Sequence, residues 1–217
     1  MTLTRRAFLA MTAAASTVAW ARQDPAPQAP AAPDRELAPG QHDLKLGDGD
    51  RDGTLYIPKS YSPDKAWPLI VLLHGAGGTG RSTAYAFPLA DEFGVIILAP
   101  DSRDEGTWDL LLHGYGPDVE FIGAALTRVQ SRLNVDRRRR GLFGHSAGVM
   151  RPAEVHGKPK IFISHGLSDP IMPIDVTSRV FVPRLKRLGY DVTYREYEGR
   201  HGVTPAIVRD AFEWFGR

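Results

Sequence analysis

Two continuous runs of apolar residues, Trp67 to Leu73 and Gly94 to Ala99, constrain the fold of this chain more than any other feature. A strand that is apolar along its whole length, rather than at alternate positions, is typical of a sheet that is covered on both faces. The segments around these runs alternate between strand-like and helix-like patterns from about residue 41 onward. This alternation predicts an α/β fold, with a mainly parallel sheet and helices on both of its faces.

The predicted elements follow each other along the chain without an internal repeat. Further strands are predicted at Thr54 to Ile57, Gly141 to Phe143, Lys160 to Ser164 and Val192 to Tyr197. Helices are predicted at Thr83 to Phe93, Asp118 to Leu133, Pro173 to Leu188 and Thr204 to Phe215. In such a fold the functional groups gather at the carboxyl ends of the strands.

The first 21 residues have the organisation of an export signal. Arg5 and Arg6 precede an uncharged stretch rich in Ala and Thr, and small residues surround a cleavage point at Ala19-Trp20-Ala21. The paired arginines resemble a twin-arginine signal. The apolar run of about fifteen residues is shorter than the roughly twenty that a membrane span needs. We expect residues 1–21 to be removed, residues 22–40 to form a Pro/Ala-rich linker, and residues 41–217 to form one domain in the periplasm or outside the cell.

Charge and cysteine content exclude several classes of function. Without Arg5 and Arg6, the 27 basic residues become 25 and balance the 25 acidic ones, so the chain has no excess charge that would indicate a nucleic-acid partner. The basic run Arg137 to Arg140 is interpreted as a solvated turn. The absence of cysteine excludes disulfides, thiol nucleophiles, thiolate metal sites and a lipoprotein anchor.

The segment Gly144-His145-Ser146-Ala147-Gly148 follows an apolar strand. Small residues on both sides of a serine allow a sharp turn that presents its hydroxyl, so Ser146 is the candidate nucleophile. On its own the segment is equally compatible with a glycine-rich turn. A serine hydroxyl also needs a base to become nucleophilic. Where the serine stands on such a turn after a strand, the catalytic residues follow in the chain order serine, acid, histidine.

Three histidines follow Ser146, namely His156, His165 and His201. His201 lies in a glycine-flanked loop after a predicted strand, which suits a base above the sheet edge. His165 closes a strand and is interpreted as a structural turn residue, and His156 as a solvated one. His201 is therefore the candidate base.

Asp169 is the candidate acid, because its loop follows the strand that ends at Ser164. Asp175 is interpreted as a helix cap, and Asp191 precedes a strand and so lies at the opposite edge of the sheet. The backbone N–H groups of Ala76 and Ala147 are the candidate oxyanion donors.

The glycine-rich segment Gly75 to Ser82 has a second interpretation. It differs from a phosphate-binding P-loop mainly by having Arg81 where a lysine belongs, and Asp101 would then hold a metal ion. A guanidinium is a poor substitute for that lysine, so the interpretation of this segment as an oxyanion-binding loop is preferred.

Four segments of the chain together resemble secreted serine esterases grouped with poly(3-hydroxybutyrate) depolymerases, feruloyl esterases and small carboxylesterase- or phospholipase-like hydrolases. The segments are Leu73-His74-Gly75, Gly144-His145-Ser146-Ala147-Gly148, His165-Gly166-Leu167-Ser168-Asp169-Pro170 and Gly199-Arg200-His201. The resemblance implies an α/β-hydrolase fold with an eight-stranded sheet, no cofactor, and hydrolysis of a small or polymeric ester through an acyl-enzyme.

The segment after the nucleophile departs from this pattern. Only Ala147 to Pro159 separates Ser146 from the next predicted strand, which leaves room for one crossover connection but not two. One strand and most of a helix are therefore expected to be missing. Either the acid-bearing strand pairs directly with the nucleophile strand, or the core is breached and the protein is an inactive relative that acts as an extracytoplasmic binding protein. Trp108, Leu111 and Leu112 are either pocket-lining or packing residues.

Overall fold

The computed structural model describes residues 15–19, 37–46, 51–109, 116–146 and 160–217. The strands in these ranges are β1 Ala15–Ala19, β2 Gly40–Asp43, β3 Gly53–Ile57, β4 Trp67–Leu73, β5 Ile96–Pro100, β6 Val135–Gly144, β7 Lys160–Gly166 and β8 Val192–Tyr197. The α-helices are α1 Phe87–Phe93, α2 Pro117–Arg132, α3 Ser178–Arg187 and α4 Pro205–Gly216. Two short 3-10 helices span Gly80–Ala86 and Ile174–Val176.

The strands form one eight-stranded sheet in the order β2-β3-β5-β4-β6-β1-β7-β8. Strand β4 is parallel to β5 and β6, and β7 is parallel to β8. Because β1 is antiparallel to both β6 and β7, these two neighbours point in the same direction. Strands β4 to β8 therefore share one direction, and their carboxyl ends meet at one edge of the sheet, which confirms the predicted mainly parallel arrangement.

The two apolar runs are the buried centre of the sheet, as predicted. Every residue of β4 and of β5 is buried. Leu69 and Leu73 pack on one face with residues of α2, and Ile70 and Leu72 pack on the other face with residues of α1 and α4. Alternate side chains of β4 thus enter two separate cores. Each large apolar side chain that is fully buried contributes about 1.5–3 kcal/mol to the stability of the fold. Helices cover both faces of the sheet, as the sequence predicted.

Two predicted helices are divided in the structure. The segment predicted from Thr83 begins as the 3-10 helix Gly80–Ala86 and becomes α1 just before a proline. The segment predicted from Pro173 contains the 3-10 helix Ile174–Val176, and α3 begins only at Ser178. The short edge strand β2 was not predicted, since its four residues carry no apolar pattern.

The arginine run belongs to a strand and not to a separate turn. Val135 pairs with Trp67, and the next pair joins Arg140 to Leu69, so the intervening residues of β6 bulge out of the ladder. Arg137, Arg138 and Arg139 are exposed on this bulge. Their solvation was predicted correctly, but their place in β6 was not.

Strand β1 lies between β6, which precedes the candidate nucleophile, and β7, which precedes the candidate acid. It pairs with β6 through Ser16 and Gly144, and with β7 through Ala15 and Ser164. Of the two alternatives that the sequence left open, the one in which β7 pairs directly with β6 is therefore wrong. The reason is that a strand-wide space separates β6 from β7, and the backbone groups that face this space need hydrogen-bond partners.

The strand β1 falls within the residues predicted to be removed as an export signal. Removal of residues 1–21 would leave β6 and β7 without the partner that they share in this structure. Arg5, Arg6 and the cleavage point at Trp20-Ala21 lie outside the described residues, so the export signal stays a prediction. In the parts of the chain that the structure describes, none of the helices has the length and apolarity needed to cross a membrane.

Candidate active site

Ser146 stands on a strained turn directly after β6. Its φ angle is 54°, a left-handed conformation that a residue with a side chain adopts at a cost of about 1–3 kcal/mol. The preceding residue, His145, donates its backbone N–H to the carbonyl of Leu73 at 3.4 Å, which fastens the turn to the end of β4. The hydroxyl is thereby presented at the carboxyl edge of the sheet, where the sequence predicted it.

The structure brings Ser146, His201 and Asp169 together. The Nε2 atom of His201 lies 2.9 Å from Oγ of Ser146, and its Nδ1 atom lies 2.9 Å from Oδ2 of Asp169. The side chain of His201 is 19% exposed, whereas that of Asp169 is 1% exposed. A partly exposed histidine and a buried carboxylate are the arrangement expected when a substrate approaches the serine side of the histidine.

Protonation in this group follows from the partners of Asp169. Burial raises the pKa of Asp169, but hydrogen bonds from the Met172 N–H, from His201 and from the Ile171 N–H outweigh it and bring the pKa below its ordinary value of 3.8. A carboxylate only accepts hydrogen bonds, so the proton of neutral His201 resides on Nδ1. Its Nε2 is then free to accept the hydroxyl proton of Ser146.

The loops that carry Asp169 and His201 are joined by their backbones. The N–H of Leu167 donates to the carbonyl of Tyr197, and the N–H of Ser168 donates to the carbonyl of Gly199, both at 2.9 Å. A Cβ atom at Gly166 would lie only 2.5 Å from the carbonyl oxygen of Arg200. Glycine at this position therefore allows the close approach that sets the distance between acid and base.

The candidate oxyanion loop lies beside Ser146. A Cβ atom at Gly75 would be 3.6 Å from Cβ of Ser146. The N–H of Gly77 donates to the carbonyl of Gly106 at 2.8 Å, and that of Gly78 to the carbonyl of Gly75 at 3.1 Å. Within the described residues the N–H of Ala76, on an exposed residue of the same turn, is not used in a hydrogen bond. The other predicted donor, Ala147, lies outside the described residues.

His74 anchors this loop, a role that sequence reasoning missed. Its Nδ1 is 2.7 Å from the carbonyl of Gly75, which fixes the proton on that nitrogen, and its Nε2 accepts the N–H of Ser102 at 3.0 Å. Burial lowers the pKa of His74 and keeps the ring neutral, as this pair of bonds requires. The only available signal was its position at the end of an apolar strand beside the glycines.

Trp108 is a packing residue and does not line an open pocket. It is 0% exposed, its Nε1–H donates to the carbonyl of His74 at 2.9 Å, and the two rings lie 4.7 Å apart. Of the two interpretations that the sequence left open, the structure supports packing. Leu111 and Leu112 lie outside the described residues.

The residues of the alternative P-loop interpretation have structural roles. Arg81 pairs with the carboxylate of Asp43 at 2.9 Å on the surface. Asp101 accepts the backbone N–H of Gly80 at 2.6 Å and that of Asp52 at 3.0 Å, and so holds the loop itself. In the described ranges we find no cluster of three or more His, Asp or Glu side chains that would suit a metal ion.

The remaining candidates are separated from the site or have other functions. Asp175 is not a helix cap: it is exposed on a 3-10 turn and pairs with Arg179 at 2.7 Å. Asp191 lies at the amino edge of the sheet beside Lys160, as predicted. His165 is more than a turn residue, since its ring contacts Asp169. His156 lies outside the described residues.

Comparison with known sequences finds relatives that are named as esterases. No protein-family model matches the chain. A probable feruloyl esterase C from Aspergillus flavus is 26% identical over 159 residues, which cover 58% of this chain and 57% of the relative. A probable acetylxylan esterase A from Aspergillus terreus is 30% identical over 108 residues, covering 44% of this chain and 34% of the relative. The chain thus matches less than two thirds of the length of these curated relatives.

Solved structures agree on the architecture. Esterase 2 of Thermogutta terrifontis, solved in a form phosphonylated by cyclosarin, superposes with a TM-score of 0.62 at 17% identity, covering 83% of this chain and 92% of the esterase. Its identity is too low to carry more than the fold. The chain therefore has the α/β-hydrolase fold, and its relatives include proteins named feruloyl esterase and acetylxylan esterase.

Proposed function

We propose that this protein is a serine esterase that hydrolyses carboxylic esters through an acyl-enzyme intermediate. The observation that carries the proposal is the hydrogen-bonded series from Ser146 through His201 to Asp169, with the serine on a left-handed turn. The names of the relatives support the same chemistry. The hydrogen bonds of His201 to Ser146 and Asp169 favour an active enzyme over an inactive binding protein, because binding alone does not require an aligned base and acid.

In the first half of the reaction, Oγ of Ser146 attacks the ester carbonyl carbon while Nε2 of His201 takes its proton. Asp169 holds the resulting imidazolium and does not take up the proton itself. The N–H groups of Ala76 and Ala147 stabilise the negative charge on the carbonyl oxygen. The carbon–oxygen bond to the alcohol then breaks, and the departing oxygen receives the proton from His201.

In the second half, a water molecule takes the place of the alcohol. His201 removes a proton from this water, which attacks the acyl carbon bound to Ser146. The second tetrahedral intermediate collapses, the acid product leaves, and the proton returns from His201 to the serine oxygen. Ser146 and His201 thereby return to their starting protonation states.

Substrate class and location belong to the same proposal. The relatives are named for feruloyl esters and acetylxylan, so we propose esters of short or aromatic acids as substrates. The paired Arg5 and Arg6 before an apolar run support export from the cytoplasm.

The proposed function is tested by hydrolysis of p-nitrophenyl acetate and methyl ferulate. We expect turnover of at least one ester, and a loss of roughly 10⁴-fold or more in kcat for Ser146→Ala. Ser131→Ala, a change on the exposed surface of α2, is the matched control and should keep full activity. A folded wild-type protein that hydrolyses neither ester would contradict the proposal.

A further inference from the structure

We propose that His165 is a positioning residue, which together with Ser178 holds Asp169 in the orientation that His201 needs; this proposal rests on the proposed function. His165 and Ser178 are both 0% exposed. The Nε2 atom of His165 lies 3.4 Å from Oδ2 of Asp169, and this is the same oxygen that His201 contacts at 2.9 Å. Two imidazole rings therefore meet at one carboxylate oxygen, one from the substrate side and one from the interior.

The hydrogen-bond partners fix the tautomer of His165. Its Nε2 lies 2.9 Å from the carbonyl oxygen of Met172, which only accepts, so Nε2 carries the proton. This N–H is directed at the Met172 carbonyl with Asp169 Oδ2 beside it. The Nδ1 atom is then an acceptor, and the hydroxyl of Ser178 donates to it at 2.5 Å. Each polar atom of the buried pair has a defined role, as a low-dielectric interior requires.

The carboxylate of Asp169 is held at both of its oxygens. Oδ1 accepts the N–H groups of Ile171 at 2.8 Å and of Met172 at 2.9 Å. Oδ2 faces His201 and His165. Rotation of the carboxylate would break contacts on both sides, so its orientation toward His201 is set before substrate arrives.

His165 also connects the acid loop to rigid elements. It lies in β7, and its partner Ser178 is the first residue of α3. The loop between these two residues contains Asp169, and the carbonyl of Met172 in the same loop accepts the N–H of His165. Without the ring, the carboxylate would keep only the N–H groups of Ile171 and Met172 and its contact with His201. We therefore expect His165 to affect the chemical step more than substrate binding.

Three variants separate positioning from stability. His165→Leu removes the ring's polar contacts with Ser178, Met172 and Asp169, and His165→Gln keeps an N–H donor near the position of Nε2. Thr177→Val is the matched control, because the hydroxyl of Thr177 donates to the Pro173 carbonyl at 2.8 Å in the same loop without touching Asp169.

Kinetics are normalised to the fraction of sites labelled by a fluorophosphonate probe. For His165→Leu we expect kcat to fall about 10- to 100-fold with KM unchanged within about twofold. His165→Gln should recover most of kcat, and Thr177→Val should change neither constant.

A spectroscopic measurement decides the proposal even if the esters tested are not substrates. The Nδ1 proton of His201, bonded to Asp169, should give a downfield imidazole resonance in the wild type, assigned by its loss in His201→Gln. We expect this resonance to shift or broaden in His165→Leu and to persist in His165→Gln and Thr177→Val.

If His165→Leu does not fold, Ser178→Ala replaces it, with an expected loss of about fivefold in kcat and a smaller change of the same resonance. A folded variant with unchanged resonance and unchanged kcat would overturn the role of His165, whereas an inactive wild type with the expected resonances would refute only the proposed esterase function.

Discussion

Oγ of Ser146 and Nε2 of His201 lie 2.9 Å apart, although 55 positions separate the two residues in the chain. Ser146 follows β6 and His201 follows β8, and the sheet order places β1 and β7 between these strands. The contact therefore spans strands that are not neighbours, and Asp169 reaches it from β7. The geometry of the candidate site depends on the presence of β1, which sets the separation of β6 from β7.

Deletion of residues 1–21 is expected to lower the stability of the protein. Strand β1 pairs with β6 at four positions and with β7 at five, and each net hydrogen bond contributes about 1 kcal/mol. For a protein of this size, the loss of several such bonds lowers Tm by about 10 °C or more. Thermal melts followed by circular dichroism measure the change.

A chain that begins at residue 15 is the matched control, since it keeps β1. It should melt close to the full-length protein. If deletion of residues 1–21 leaves both Tm and ester hydrolysis unchanged, the folded, active protein does not need β1. The result would then agree with the predicted removal of residues 1–21 as an export signal. N-terminal sequencing of exported protein shows which form the cell produces.

Gly166→Ala is expected to reduce activity more than the small size of the change suggests. The added methyl group would meet the carbonyl oxygens of Arg200 and Gly199 at 2.5 and 2.6 Å, so the acid loop must move away from the base loop. A displacement of about 1 Å at a catalytic contact costs about 100-fold in rate. The matched control is Gly123→Ala in α2, where an added methyl group would meet nothing within 4 Å beyond its chain neighbours and the backbone of its own helix. It should stabilise the helix by about 0.5–1 kcal/mol with no effect on kcat. Equal activity of the two variants would contradict this account of Gly166.

Stability should fall as the pH decreases below about 6.5, in part through His74. Burial lowers the pKa of His74 below its ordinary value of 6.5, so the unfolded chain binds a proton at a higher pH than the folded protein does. The unfolded state therefore gains protons first on acidification, and the stability that neutral His74 provides is lost between pH 6.5 and its lower folded pKa. Urea denaturation at pH 7.5 and 5.5 measures the difference. In His74→Asn the difference should be smaller than in the wild type, and an equal difference would show that His74 does not contribute.

Asp169→Asn is expected to lower kcat/KM by roughly 10³- to 10⁴-fold while the protein stays folded. An amide can stabilise the wrong tautomer of His201 and cannot balance the charge of its imidazolium. Asp175→Asn is the matched control, because Asp175 is the other acidic residue of this region and lies 75% exposed in an ion pair with Arg179. Exposed ion pairs contribute little, so its activity should remain within about twofold of the wild type. A larger loss in Asp175→Asn than in Asp169→Asn would exchange their proposed roles.

Local sequence patterns predicted the elements whose structure depends on local properties. Trp67 to Leu73 is apolar throughout and became the buried centre of the sheet. The short loops after β6, β7 and β8 predicted where Ser146, Asp169 and His201 lie, because parallel strands deliver their carboxyl ends to one edge. Strand β1 was not predicted, since a segment rich in Ala and Thr has little strand character of its own, and its two partners are more than 100 residues away along the chain. The contact of His165 with Asp169 was missed for a similar reason: it depends on how the loop folds back on the strand.

Labelling with a fluorophosphonate probe, followed by peptide mass spectrometry, tests the central claim most directly. If Ser146 is activated by His201 and Asp169, one probe molecule should attach per chain, at Ser146, and labelling should be lost in Ser146→Ala and strongly slowed in His201→Gln. Ser131→Ala should label like the wild type. A folded protein that remains unlabelled, or that reacts at a different serine, would contradict the account.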